Sequence, residues 1–282
     1  MAQIIKGAEV AAQLKKQMKA DIEAAGVTPV LAVVRVGAKE SDLAYERGVM
    51  KTCGSVGIEV RVFEYPEDID QKSLEEEFLK VNSDPEIHGI LLFKPLPSHL
   101  DGDAFNNLID PAKDMDCMSP VNWAKLSLGD DSGYFPCTAE AVIHILEYAG
   151  VNINGANAVV IGRSQVIGKP LGLMLLARSA TVTWCHSKTA DIPDRCRRAD
   201  ILVSACGVHG IVGSDIAAAV SPDCCAIDVG MNFVEGKMCG DFDFDAVEPH
   251  VGMITPVPGG VGSVTNTVMA SHVVRAAILA SR

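Results

Sequence analysis

Apolar residues at Val10, Leu14, Met18 and Ile22 repeat at the spacing of one helical face and predict a helix over 8–25. After Pro29 the pattern changes. The largely apolar run "VLAVVRVG", closing on Gly37, reads as a buried strand. A helix carrying Tyr45 and ended by Gly57 follows, then the strand "IEVRVFEY", a helix over 71–82 with Leu74, Phe78 and Leu79 inward, and the buried strand "IHGILLF". Strands alternating with helices predict a parallel sheet covered by helices on both faces. Five prolines punctuate 94–137 (Pro95, Pro97, Pro111, Pro120 and Pro136), and the domain hinge is expected there. A helix from about Thr138 to Gly150 opens a second block of the same kind. It comprises a strand over 157–162, a helix over 168–178, strands in "ATVTWC", "ADILVSACG" and "CCAIDVGMN", and a terminal helix over 265–281.

At 282 residues, two α/β domains of ordinary size are expected. The net charge of −12 argues against a nucleic-acid partner and means that an anionic ligand must be held by local cations or helix ends. No apolar run approaches the roughly 18 residues that span a bilayer. The opening "MAQIIKGAEVAAQLKKQ" lacks the continuous apolar core of a signal peptide, so a cytoplasmic protein is expected. Nine cysteines without a CxxC pair or a Cys/His zinc spacing point to reduced, packed thiols and to no metal.

The strongest local signal is "VVIGRSQVIGKPLG". An apolar strand meets a loop bounded by Gly162 and Gly168, and a helix follows. Glycines allow close backbone approach to a phosphate, and a helix N-terminus offers free N–H groups and a positive dipole end. The spacing is not GxGxxG, and a plain βα turn would look similar. The exit of the next strand adds weight. It reads Cys185-His186-Ser187-Lys188-Thr189, with no carboxylate before Asp191, where an NAD site would carry an acidic residue. With Arg163 in the glycine loop, this composition suits the 2′-phosphate of NADP. "ITPVPGGVGSVT" (254–265) combines stiff prolines with open glycines and reads as a ligand wall.

These stretches, with "AYERGVMKTCGSVGI", "GILLFKPLPSHL", "PAKDMDC", "PCTAEAV", "AIDVGMN" and "GDFDF", resemble the bifunctional methylenetetrahydrofolate dehydrogenase/cyclohydrolase (FolD) family from end to end. The resemblance implies two α/β domains flanking a cleft, the second a Rossmann-type dinucleotide-binding domain. Residues 1–120 with the returning C-terminal helix 265–282 would form the folate domain, and 121–264 the NADP domain. It implies a homodimer through the cofactor domain, and NADP-dependent oxidation of 5,10-methylenetetrahydrofolate followed by hydrolysis to 10-formyltetrahydrofolate. By carry-over, Tyr45 and Asp116 would serve catalysis and folate binding, with Pro258, Gly259 and Gly260 lining the folate. Gly162, Arg163, Ser164, Gly168, His186, Ser187, Cys206, Gly207 and Thr265 would hold the cofactor.

The departures bear on one of the two reactions. The family's first-domain helix reads Tyr-x-x-x-Lys, a spacing that puts both side chains on one face. Here Val49 stands at the lysine position, and Lys51 is displaced around the helix. The family glutamine after the third strand is Phe93, followed by Lys94. Asp42 replaces a usual serine, Cys117 a glycine, and Ala139 and Ala141 a proline and a glycine. Hydride transfer needs alignment and dryness, whereas hydrolysis needs a positioned proton carrier worth about 10² to 10⁴-fold. The expectation is therefore a dehydrogenase with weak or absent cyclohydrolase. Two alternatives stand beside it: recruitment of Lys94 or Lys51 as a substitute base, and a folate- or NADP-binding protein without turnover. Strand alternation directs Lys94 away from Phe93 and disfavours the first.

Overall fold

A computed structural model describes residues 1–282. In chain order its elements are β1 (Gln3–Ile4), α1 (Gly7–Ala25), β2 (Val30–Val36), α2 (Glu40–Gly54), β3 (Glu59–Tyr65), α3 (Gln71–Ser83), β4 (Gly89–Leu92), α4 (Ala104–Leu108), α5 (Pro120–Leu128) and α6 (Cys137–Tyr148). There follow β5 (Asn157–Ile161), α7 (Gly168–Ala177), β6 (Thr181–Cys185), α8 (Ile192–Cys196), β7 (Ile201–Ser204), α9 (Ser214–Ala217), β8 (Cys225–Asp228), β9 (Asn232–Val234), β10 (Lys237–Cys239), α10 (Phe244–Val247), β11 (Met253–Ile254) and α11 (Gly262–Ala280).

The chain forms two compact units: Met1–Ala12 with Thr138–Thr265, and Gln13–Cys137 with Asn266–Arg282. The second of these, the amino-terminal α/β unit, holds a three-stranded parallel sheet in the order β3-β2-β4. Every residue of β2 is buried, as its largely apolar sequence requires of a central parallel strand, and the one charge, Arg35, is paired with Glu46 and Glu64. Asp70 caps α3 by accepting the Ser73 N–H at 3.0 Å, and the helix then buries Leu74, Phe78 and Val81 one turn apart. Phe78 meets Phe105 edge-on, with ring centroids 5.2 Å apart, which closes this core from α4.

The other unit holds a six-stranded sheet in the order β1-β11-β8-β7-β5-β6, parallel throughout. The chain steps from β5 outward to β6, then crosses back to β7 on the other side of β5. The carboxyl ends of β5 and β7 therefore flank a topological switch point, where doubly wound sheets bind ligands.

The packing places the unit boundary later than position 120. Asn122 of α5 donates to Asp114 at 2.9 Å and to the Pro111 carbonyl at 3.0 Å, and Arg275 of α11 lies over the Tyr134 ring at 4.2 Å. These bonds keep 121–137 with the amino-terminal unit. The first twelve residues depart the other way, because β1 pairs with β11 and extends the six-stranded sheet. The C-terminal helix from Asn266 packs with the amino-terminal unit, its Val273 side chain lying against Gly89 of β4.

Candidate active site

In the amino-terminal unit, α2 presents Tyr45, Val49 and Cys53 at successive four-residue steps, and Val49 and Cys53 are fully buried. The Tyr45 ring packs on Phe93 with centroids 5.2 Å apart and planes inclined by 48°. The expected pair of positions 49 and 93 is thus present as an apolar surface. Burial pushes the Cys53 thiol up to about 12, so it is a packed apolar group rather than a proton carrier. Tyr45 is 41% exposed, yet its phenol is held well above its ordinary range, first by burial and then by the charge of Asp116. The hydroxyl therefore keeps its proton, and the residue retains exposed surface for packing.

Asp116 is brought to this face by the N-terminus of α6, where its Oδ1 accepts the Cys137 N–H at 2.9 Å. Burial pushes its carboxyl above the ordinary carboxylate range, with the Cys137 N–H working against that. The residue nevertheless keeps exposed surface that a ligand can reach. Behind it, the Cys137 thiol donates to the Met115 carbonyl at 3.2 Å, and His272 Nδ1 reaches the same oxygen at 2.9 Å. Cys117 adopts φ +60°, the left-handed conformation that suits glycine. Ala139 and Ala141 are both fully buried in α6; position 139 lies in the first turn, where a proline costs little, whereas a glycine at 141 would weaken the helix.

The two remaining lysines lie elsewhere. Lys51 is exposed. Lys94 donates to Asn106 Oδ1 at 2.8 Å on α4. Strand alternation, expected to turn Lys94 away from Phe93, does not reach it, because β4 ends at Leu92; what the structure shows is its ammonium bonded to Asn106.

In the other unit, the loop between β5 and α7 is built for close backbone packing. Gly162 has φ +133°, and a Cβ there would stand 2.5 Å from the Ala205 carbonyl oxygen. A Cβ on Gly168 would run into the Gly162 carbonyl. The free N–H groups expected at the start of α7 are absent. Ser164 Oγ accepts from Ile167 N at 3.1 Å and Gly168 N at 3.3 Å, the Ser164 carbonyl accepts from Lys169 N at 3.0 Å, and Pro170 has none to give. Ser164 therefore shapes the loop, and the exposed stretch from Arg163 to Val166 is what it offers to a ligand. After β6, the His186 N–H donates to Thr189 Oγ1 at 2.9 Å and the Lys188 N–H to His186 Nδ1 at 3.1 Å. That tight turn leaves Ser187 and Lys188 pointing to solvent. A glycine-bounded loop at the switch point, with Arg163, Ser187 and Lys188 exposed around it, fits a phosphorylated dinucleotide.

Cys206 and Gly207 form the loop after β7 and are exposed. Pro258, Gly259 and Gly260 form the loop after β11, pinned where the Gly7 N–H donates to the Gly259 carbonyl at 2.8 Å. Thr265 lies in the first turn of α11, its hydroxyl donating to the Val261 carbonyl at 3.4 Å. Sequence reasoning did not single out Asp228 and Asp241, which organise these loops from below. The signal was a carboxylate closing the buried strand "CAID", since a buried charge must find donors.

Two family models match this chain: tetrahydrofolate dehydrogenase/cyclohydrolase, catalytic domain, over residues 5–116, and the NAD(P)-binding domain of the same family over 136–281. The chain belongs to the tetrahydrofolate dehydrogenase/cyclohydrolase family. A bifunctional FolD protein of Carboxydothermus hydrogenoformans is 48% identical, the alignment covering 98% of this chain and 97% of the relative. The bifunctional FolD structure from Campylobacter jejuni superposes with a TM-score of 0.93 at 35% identity, covering 98% of this chain and 99% of that one. The Trypanosoma brucei FolD, solved with NADP cofactor and an inhibitor, matches at 0.88 and 33% identity, over 98% of this chain and 97% of its own. The family's sequence division assigns α11 to the cofactor domain, whereas packing places Asn266–Arg282 with the amino-terminal unit. Packing decides where the helix contributes stability. No helix is long and apolar enough to cross a membrane.

Proposed function

We propose that this family member oxidises 5,10-methylenetetrahydrofolate to 5,10-methenyltetrahydrofolate with NADP and hydrolyses the product weakly or not at all. The observation that carries this reading is the buried Val49 beside the Tyr45–Phe93 ring pair. NADP, when bound, supplies the hydride acceptor. The chain's own part in oxidation is to align the donor carbon and keep water out, which an apolar face does without a proton carrier. Tyr45 packs against the folate ring, and Asp116 accepts hydrogen bonds from the pterin. Pro258, Gly259 and Gly260 line the substrate. Arg163 and Ser187 select the 2′-phosphate, and His186, Cys206, Gly207 and Thr265 complete the cofactor contacts.

Hydrolysis needs a water made nucleophilic and protons moved during ring opening. Val49, Phe93 and the strongly proton-holding Tyr45 and Cys53 supply none of this. We assign the assembly as a homodimer through the cofactor unit, a reading supported by the exposed apolar residues Met231, Phe233, Val234 and Met238 on and beside the β9–β10 hairpin.

The experiment follows NADPH formation and methenyl-folate absorbance together, with hydrolysis of pre-formed methenyl-folate measured separately. Methenyl-folate should accumulate, and its decay should equal the buffer rate. Enzyme-dependent decay well above that rate would sink the reading and place a base elsewhere in the site. The double variant Val49→Lys, Phe93→Gln should gain measurable hydrolysis. Val49→Lys alone buries an unpaired ammonium and should lose stability instead.

A further inference from the structure

The loop after β7 curls its backbone N–H groups inward, around one carboxylate. Cys206 N and Val208 N donate to Asp241 at 2.9 Å each, and Gly207 N at 3.3 Å. Three successive amides of this kind make a nest that elsewhere captures a phosphate or another anion. Here the protein's own carboxylate fills it. Ser204 Oγ and Asn232 Nδ2 add bonds at 2.8 and 3.1 Å, and Asp241 itself is fully buried.

Asp228 is the support beneath. Its Oδ1 accepts the Asp241 N–H at 2.9 Å and its Oδ2 the Phe242 N–H at 2.9 Å. Its own N–H donates to Thr255 Oγ1 at 2.8 Å, at the root of the loop that carries Pro258 to Gly260. The fit leaves no slack: a Cβ on Gly230 would collide with the Asp241 carboxylate, and one on Gly240 with that of Asp228.

We propose that Asp241 is a positioning residue for the cofactor, holding the Cys206–Val208 loop in its ligand-ready form, with Asp228 tying that loop to the Thr255 loop. This rests on the NADP reading above. Because the loop's amides are turned inward, the loop meets the cofactor with its outward face, and the phosphates must be held at the Arg163 loop instead. Asp241→Asn removes one acceptor oxygen and turns an amide NH₂ toward donors already there, so part of the nest is left unsatisfied.

The test measures amide hydrogen exchange at 206–208, and separately KM for NADP and for methylenetetrahydrofolate, in wild type and Asp241→Asn. Loss of protection at 206–208 should accompany a rise of about tenfold in KM for NADP, with KM for the folate within about twofold. Lost protection with an unchanged KM for NADP overturns the proposal, and so does an equal rise in both KM values. A wild type with protected amides that does not bind NADP overturns the functional reading, and the two failures are thereby distinct. If Asp241→Asn does not fold, Asn232→Ala removes a single bond to the same carboxylate and should raise KM for NADP about threefold. No rise there counts against the proposal.

Discussion

Val49 and Asp116 show how far one side chain can steer a site. A lysine at position 49 would stand in a fully buried place beside two aromatic rings, where its charge needs a partner that Phe93 cannot supply. The apolar pair therefore forms a coherent state in which either single reversion is worse than none or both. Asp116 retains the polar half of the site and is held by one backbone donor from α6. Asp116→Ala should raise KM for the folate at least tenfold while KM for NADP stays within about twofold, since the lost hydrogen bonds are charge-assisted. Equal loss of both would make Asp116 a structural residue. Its raised carboxyl pKa adds a direction: folate KM should climb as pH falls, because the protonated form loses acceptor capacity.

At the scale of elements, the turn after β6 makes the cofactor choice testable. Ser187 is exposed on a turn locked by His186 and Thr189, so substitution there leaves the turn's hydrogen bonds in place. Ser187→Asp should shift the kcat/KM ratio toward NAD by at least tenfold, and an unchanged ratio would remove this turn from the cofactor site. The main apolar elements were legible in the sequence, because β2 and β4 are buried throughout, β5 is buried from its second residue on, and α3 keeps its period. The place of Val49 one turn after Tyr45 was legible too, since four-residue spacing on α2 fixes which side chains share a face. Pieces too short to show a period were not: two-residue β1 and β11 exist only through their pairing across 250 positions of chain, and the β9–β10 hairpin only through its register. The free N–H groups anticipated at α7 were lost to Ser164, a local competition between side chain and ligand that composition does not reveal.

For the whole molecule, the net charge of −12 and the buried Asp228 act in the same direction as pH falls below neutral. Burial raises Asp228 from 3.8 to about 6, so the folded protein binds this proton more tightly than the unfolded chain does. Its contribution is fully present below the unfolded value and is lost as pH rises through the folded one. The window is therefore pH 4 to 6, and the change is about 3 kcal/mol for this group. Asp70, Asp130 and Asp241 are shifted the other way, and their support is lost only at more acid pH, as each is protonated below its ordinary range. Denaturant unfolding at pH 4.5 and 6.5 should show the stability difference, and Asp228→Asn should flatten that slope whatever it does to absolute stability. The cofactor unit also contains its own optical probe. Of the two tryptophans, Trp184 donates its indole N–H to the Gly168 carbonyl at 2.9 Å, and its ring fills the space that Gly172 leaves by lacking a Cβ. An indole in hydrogen-bond contact with the loop between β5 and α7 should change emission when that loop closes on a nucleotide. Trp123→Phe, remote in sequence and in the other unit, would leave a single fluorophore with which binding can be followed before any turnover occurs.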